Sequence, residues 1–113
     1  MYVKEKGVKQ NYAEAAKWYR KAADQGNISA QYNLGTMYLI GRGVKKDTVE
    51  AAKWYLKAAK KSSRAQFILG MMYEEGRGVK QDKAEAIKWY QKAAEQGDKD
   101  AVKALKLLEE REN

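Results

Sequence analysis

The sequence predicts an all-α chain organised as a solenoid of repeated helix pairs, and three observations predict it. The pairs Trp18-Tyr19, Trp54-Tyr55 and Trp89-Tyr90 stand 36 and then 35 residues apart, the period of a helical repeat. Apolar residues inside each period recur at helical spacing, as Tyr12, Ala15, Ala16, Tyr19, Ala22 and Ala23 show. Nine glycines and no proline in 113 residues suit helices separated by glycine turns.

Each period divides into two halves. One half reads AAKWYRKAA from Ala15, AAKWYLKAA from Ala51 and AIKWYQKAA from Ala86; the other reads LGTMYLIGRGV from Leu34 and LGMMYEEGRGV from Leu69. We call the second type helix A and the first helix B. At the N-terminus, Met1-Tyr2 through Gly7-Val8 aligns with Met37-Tyr38 through Gly43-Val44, so the chain reads as opening inside a truncated helix A, with Glu5 in place of a turn glycine. Helix B then starts at a polar cap followed three residues later by Glu: Asn11 with Glu14, Asp47 with Glu50, and Asp82 with Glu85. Helix A carries Ala30, Leu34, Met37 and Tyr38 on one stripe, repeated as Ala65, Leu69, Met72 and Tyr73, and ends at Gly41 and Gly76. Gly35 and Gly70 lie inside helix A, where glycine costs roughly 1 kcal/mol against alanine, and close approach to the alanine face of helix B offsets that cost. The second joint is one residue shorter, since Ala59 to Ala65 is six residues and Ala23 to Ala30 is seven, and Gly26 and Gly97 have no counterpart there. The last helix continues the A pattern with Ala101 and Leu105, has Lys106 where Gly35 and Gly70 stood, and reads as a cap because Glu109, Glu110 and Arg111 suit a solvated face. The division is a single solenoid domain, 1–113, with a partial first repeat at 1–29, a second at 30–64, a third at 65–98 and a capping helix at 99–113.

Composition removes most chemistry. No cysteine excludes disulfides and thiolate sites, and no histidine removes the commonest catalytic base and metal ligand. Glu74-Glu75 is no acid–base pair, because adjacent helical residues point apart, and Gly41-Arg42-Gly43 is a turn, with no strand before it and no Walker spacing. No catalytic, cofactor or metal site is expected, and no small-molecule substrate. Asn27-Ile28-Ser29 matches a glycosylation sequon by chance, in a turn between repeats of a chain without a signal peptide. Apolar runs are too short to span a bilayer, so a soluble protein is expected, with cytoplasm and bacterial periplasm both compatible.

Leu-Gly-x-x-Tyr-x-x-Gly-x-Gly-Val, an acidic cap, and Ala-x-x-Trp-Tyr-x-Lys-Ala-Ala together resemble the Sel-one-like repeat (SLR), a relative of the tetratricopeptide repeat, over nearly the whole chain. The resemblance implies a right-handed α/α superhelix, no shared catalytic residues, and an adaptor or scaffold that holds a protein or peptide on its inner, helix A face. A cysteine-rich branch of the family, with a disulfide in each repeat, does not include this chain. Alignment on the tetratricopeptide pattern implies a concave groove lined by Tyr32, Thr36, Leu39 and Ile40, then Phe67, Met71, Glu74 and Glu75, flanked by Val3 and Lys103. Tyr32, Phe67 and Met71 also suit packing between neighbouring A helices, and a solenoid groove does both jobs.

Trp18, Trp54 and Trp89 recur at one repeat position and read as core. The net charge of +8 admits nucleic-acid or membrane binding, but position argues against it. Lys17, Arg20, Lys21, Lys53, Lys57, Lys88 and Lys92 sit on helix B near Glu14, Glu50 and Glu85, and Arg42, Lys45, Lys46, Arg77 and Lys80 at the turns lack interleaved aromatics. Steering of an acidic protein partner fits the same charge. The competing reading is an assembly module, a homo-oligomer through the apolar end near Tyr2, Tyr12 and Tyr19.

Overall fold

A computed structural model describes residues 5–112, with side chains for 11–111, and contains six helices and no strand among those residues. They are α1 (Glu5–Asp24), α2 (Ile28–Ile40), α3 (Thr48–Ala58), α4 (Ser63–Glu75), α5 (Lys83–Glu95) and α6 (Lys99–Glu112). Helices α2, α4 and α6 are type A, and α3, α5 and the second half of α1 are type B. Contacts run between successive helices, and the molecule is elongated, 51 × 29 × 29 Å, with a radius of gyration of 15.6 Å against about 13 Å for a compact domain of about 100 residues.

Caps set the helix ends. Asp47 Oδ1 accepts from the Glu50 amide at 3.0 Å and Asp82 Oδ1 from the Glu85 amide at 3.1 Å, where acidic caps were expected. The A helices are capped in the same way by Asn27, Ser62 and Asp98, through the amides of Ala30, Ala65 and Ala101. Gly41 and Gly76 close α2 and α4 in the left-handed region, φ 72° and 70°.

The expected break near Gly7-Val8 and the Asn11 cap are corrected: α1 runs unbroken from Glu5 to Asp24, with Asn11 inside it. The position that glycine fills at Gly41 and Gly76 is held here by Glu5, which takes positive φ only at a cost and propagates a helix well, so the chain does not turn. At the shorter joint, α3 ends on Ala59 with φ −64°, whereas Gly26 and Gly97 turn with φ 92° and 91°.

Packing inside a pair turns on the internal glycines, with one change from expectation. A Cβ on Gly35 would stand 3.1 Å from the Tyr55 ring, and one on Gly70 2.5 Å from the Tyr90 ring. The missing Cβ therefore makes room for a flat tyrosine rather than for alanines. Pairs are then locked to one another by the second turn glycine: a Cβ on Gly43 would collide with the Tyr12 carbonyl, and one on Gly78 with the Thr48 carbonyl. Buried Gln31 and Gln66 add a cross-joint bond each, Nε2 to the Ala23 carbonyl at 3.2 Å and to the Ala59 carbonyl at 2.7 Å. The largest apolar core lies mid-chain, on Ala51, Ala52, Tyr55, Ala58, Ile68, Leu69 and Met72, with smaller clusters around Leu34–Trp54 and Tyr90–Leu108.

Candidate functional site

The residues expected in the groove lie on three A helices: Tyr32, Thr36, Leu39 and Ile40 on α2, Phe67, Met71, Glu74 and Glu75 on α4, and Lys103 on α6. Val3 lies outside the described residues. Tyr32, Leu39, Phe67 and Met71 are half-buried against the central core, so each has one side packed and one side open. Ile40, Glu75 and Lys103 are exposed.

Two clefts divide these residues. Phe67, Met71, Glu74 and Glu75 line a cleft of about 190 Å³ with Tyr90, Ala104, Leu107, Leu108 and Arg111. Tyr32 belongs to another, shared with Ile28, Ser29, Ser62 and Arg64. Thr36 and Leu39 line neither; Thr36 is engaged by the Tyr55 hydroxyl at 2.7 Å. The sequence reading missed Leu107, which is 54% exposed, as well as Arg111 and Arg64. Leu107 and Arg111 follow Lys103 at i+4 and i+8, one helical face, and that spacing was the available signal.

The floor of the larger group is aromatic and its polar atoms are paired. Tyr32 meets Tyr55 edge-on with centroids 5.7 Å apart, and Phe67 meets Tyr90 at the same distance. The Tyr90 hydroxyl donates to Glu74 Oε1 at 2.7 Å, and Arg111 stands 3.7 Å from the other carboxylate oxygen. Burial, then the Glu74 hydrogen bond and charge, pushes the Tyr90 phenol well above its ordinary range. Burial likewise pushes Tyr55 up to about 12, opposed by its Thr36 hydrogen bond. Arg64 lies 4.8 Å from the Phe67 centroid and pairs with Asp98 and Asp100 at 3.2 and 2.9 Å. Such a surface offers apolar contact beside carboxylates held by ion pairs and a hydrogen bond.

The tryptophans depart from one another. Trp54 is 4% exposed, packed with Ala23, Ala30 and Leu34, and Trp89 is half-buried. Trp18 is 67% exposed, which corrects the expectation of core packing: among the described residues nothing covers it as α1 covers Trp54. Each ring carries a lysine one turn on, Lys21, Lys57 and Lys92, at 5.0, 4.4 and 4.6 Å. Tyr12 and Tyr19 are half-buried rather than bare, Tyr12 beneath Arg42 and Tyr19 against the Trp54 cluster; Tyr2 lies outside the described residues. Arg42, one of the turn cations, lies over the Tyr12 ring, an aromatic that comes from another helix rather than from the basic stretch itself. Among the described residues no helix is long and apolar enough to cross a membrane.

Comparison with known proteins places these features. A family model described as Sel1 repeat matches residues 1–27, 28–63 and 63–98. The chain is similar to a Sel1 repeat protein of Oxalobacter formigenes, at 46% identity and TM-score 0.78, over 84% of this chain and 40% of that one. It is similar to c5321, described as a protective antigen present in uropathogenic Escherichia coli strains displaying an SLR fold, at 45% identity and TM-score 0.88, over 93% of this chain and 23% of that one. It also resembles Helicobacter pylori cysteine rich protein B, at 31% identity and TM-score 0.75, over 79% and 68% of the two chains. The chain thus spans less than half the length of the first two.

Proposed function

The chain belongs to the Sel1 repeat family, whose members are generally protein-interaction modules, and from that premise we propose that it is a non-enzymatic scaffold holding a peptide or helix against its A helices. One observation carries the reading: half-buried Phe67 and Met71 share a cleft with exposed Leu107 beside Glu74 and Glu75, an apolar patch with a charged edge, and half-buried Tyr32 and Leu39 of α2 pack against the same core. An apolar side chain entering between Phe67 and Leu107 anchors the ligand. A cation next to it meets Glu75, which is exposed, free of the Tyr90 bond that engages Glu74, and, among the described residues, held only by a surface contact to Arg77 at 3.8 Å. At longer range the net charge of +8 steers acidic partners toward the molecule.

Selection of peptides from a displayed library, followed by affinity measurement, tests this. Leu107→Asp, Glu75→Lys and the pair Tyr32→Ala with Phe67→Ala are expected to weaken the selected peptide about tenfold or more with helicity retained. Peptides that bind all three variants as well as the parent overturn the groove.

A further inference from the structure

The stretches Ala15–Asp24 and Ala51–Lys60 differ at two positions alone, Arg20 against Leu56 and Asp24 against Lys60. Between the first two B helices the chain closes its own surface. Arg20 lies 5.7 Å from the Trp54 ring centroid and donates to the Tyr38 hydroxyl, and Trp54 is 4% exposed. Between α3 and α5 the shorter Leu56 leaves the equivalent place open. Trp89 is half-buried, Leu56 is itself 39% exposed, and the two share a cleft of about 380 Å³ with Ala59, Lys60, Lys92 and Glu95. Both walls belong to interior helices, each packed against the helix before it and the helix after it. We propose that this cleft is a second docking site, for an acidic peptide segment that presents an apolar side chain next to a carboxylate. It shares no residue with the groove on the A helices.

Charge selects this occupant. Size alone would admit an arginine, since Arg20 fills the equivalent space beside Trp54. Where α1 has Asp24, four residues after Arg20, Lys60 stands just past the end of α3, and Lys92 lies 4.6 Å from the Trp89 centroid. A guanidinium entering the cleft meets two cations and one carboxylate, Glu95, so the balance is repulsive; for an incoming carboxylate it is attractive. Lys53 and Lys88, on the same two helices, reach Glu50 and Glu85 only at 4.0 Å and on the surface, so they still attract an anion. The apolar part of the ligand is set by Leu56 and Trp89, which keep apolar surface open beside these charges. A nucleic acid or an anionic bilayer carries charge at every step and is repelled by Glu95, whereas a peptide can set one or two carboxylates beside Lys60 and Lys92.

The site also gives the net charge of +8 a place to act. The groove is edged by Glu74 and Glu75 and favours cations, so an acidic partner steered to the molecule finds its matching surface on the B helices.

A displayed peptide library, first depleted on the Leu56→Arg variant and then selected on the 113-residue parent, tests this. Leu56→Arg installs the residue that closes the first interval, and circular dichroism checks that the variant is folded. The expected survivors carry aspartate or glutamate next to a large apolar residue. Their affinity is expected to fall about tenfold or more with Lys60→Glu and with raised salt, and to rise with Glu95→Gln. Peptides selected for the groove should bind Leu56→Arg as well as the parent, so the two sites succeed or fail separately. An empty pool after depletion overturns the proposal, as do survivors without acidic enrichment or survivors that bind Lys60→Glu unchanged. Leu56-dependent binding of a mixed-sequence oligonucleotide or of phosphatidylserine vesicles, with no acidic peptide recovered, overturns it too and assigns the cleft to a polyanion or a membrane.

Discussion

Glycine inside a helix is ordinarily a loss of about 1 kcal/mol, so replacing it with alanine stabilises most helices. Gly35 and Gly70 reverse the expectation to different degrees. At Gly70 an alanine Cβ meets the Tyr90 ring at 2.5 Å, and that ring is fixed by its hydroxyl bond to Glu74 and by Phe67, so α4 and α5 must separate. At Gly35 the distance is 3.1 Å, and a ring shift of a few tenths of an ångström accommodates the methyl. Gly70→Ala is expected to destabilise by about 1 to 3 kcal/mol. Gly35→Ala is expected within about 1 kcal/mol of the parent, propensity offsetting strain. Urea denaturation of both variants decides it, and equal effects would mean that the tyrosine contacts do not control the pair. At this scale the sequence spoke clearly about type and poorly about exposure. Glycine within Leu-Gly-x-x-Tyr announced a close approach, but the identity of the ring beneath it did not follow from helix periodicity, which says which face a residue occupies and not what lies across from it. Trp18 failed for the same reason: identical local text cannot register a neighbour.

Between elements, the turn does more than reverse the chain. Gly41 and Gly76 end the A helices, while Gly43 and Gly78, φ 76° and 73°, press against the start of the preceding B helix. Gly78→Ala meets both obstacles, positive φ and the Thr48 carbonyl, and the obstructing atom is backbone, which cannot rotate away. We expect Gly78→Ala to cost more than the roughly 1 kcal/mol of left-handed strain alone, and to cost more than Gly76→Ala, where the nearest atom is the Gln81 Cβ at 3.0 Å. Thermal unfolding of the two variants checks the order; the reverse order would show that helix termination, not turn docking, holds the repeats together. Helix identities, acidic caps and both A-helix stops were readable because each rests on local backbone chemistry. The cleft on α4 and α6 was readable only in half. Phe67, Met71, Glu74 and Glu75 came from the repeat pattern, whereas Leu107 and Arg111 sit on a helix whose Lys106 breaks that pattern, so only their spacing from Lys103 marked them as lining the same space.

Across the whole molecule, each helix touches the next in sequence, so stability is a sum of neighbouring interfaces and the interior positions have two of them. The central cluster joins α3 and α4 and is buttressed from both sides, by Tyr32 and Leu39 of α2 and by Trp89 of α5, whereas α6 packs on one side only, through Leu108 in the Tyr90 cluster and through the surface ion pairs Arg64–Asp100 and Arg111–Glu74. Local opening therefore has a gradient: α6 can fray without exposing Tyr55 or Leu69, but α3 cannot open without breaking the contacts of α2 and α4 together. Amide exchange is expected to be slowest in 51–58 and 65–72, and faster by about tenfold or more in 104–112, since each 1.4 kcal/mol of lost interface is a factor of ten. Uniform protection would instead mean that the chain opens only as one cooperative unit. The gradient also bears on recognition, because Leu107 and Arg111 lie on the fraying helix and their cleft partners Phe67 and Met71 on the stable one. A ligand bridging the two must hold α6 in place, so its binding should slow exchange in 104–112 far more than in 65–72, and a ligand that leaves α6 unprotected is bound somewhere else.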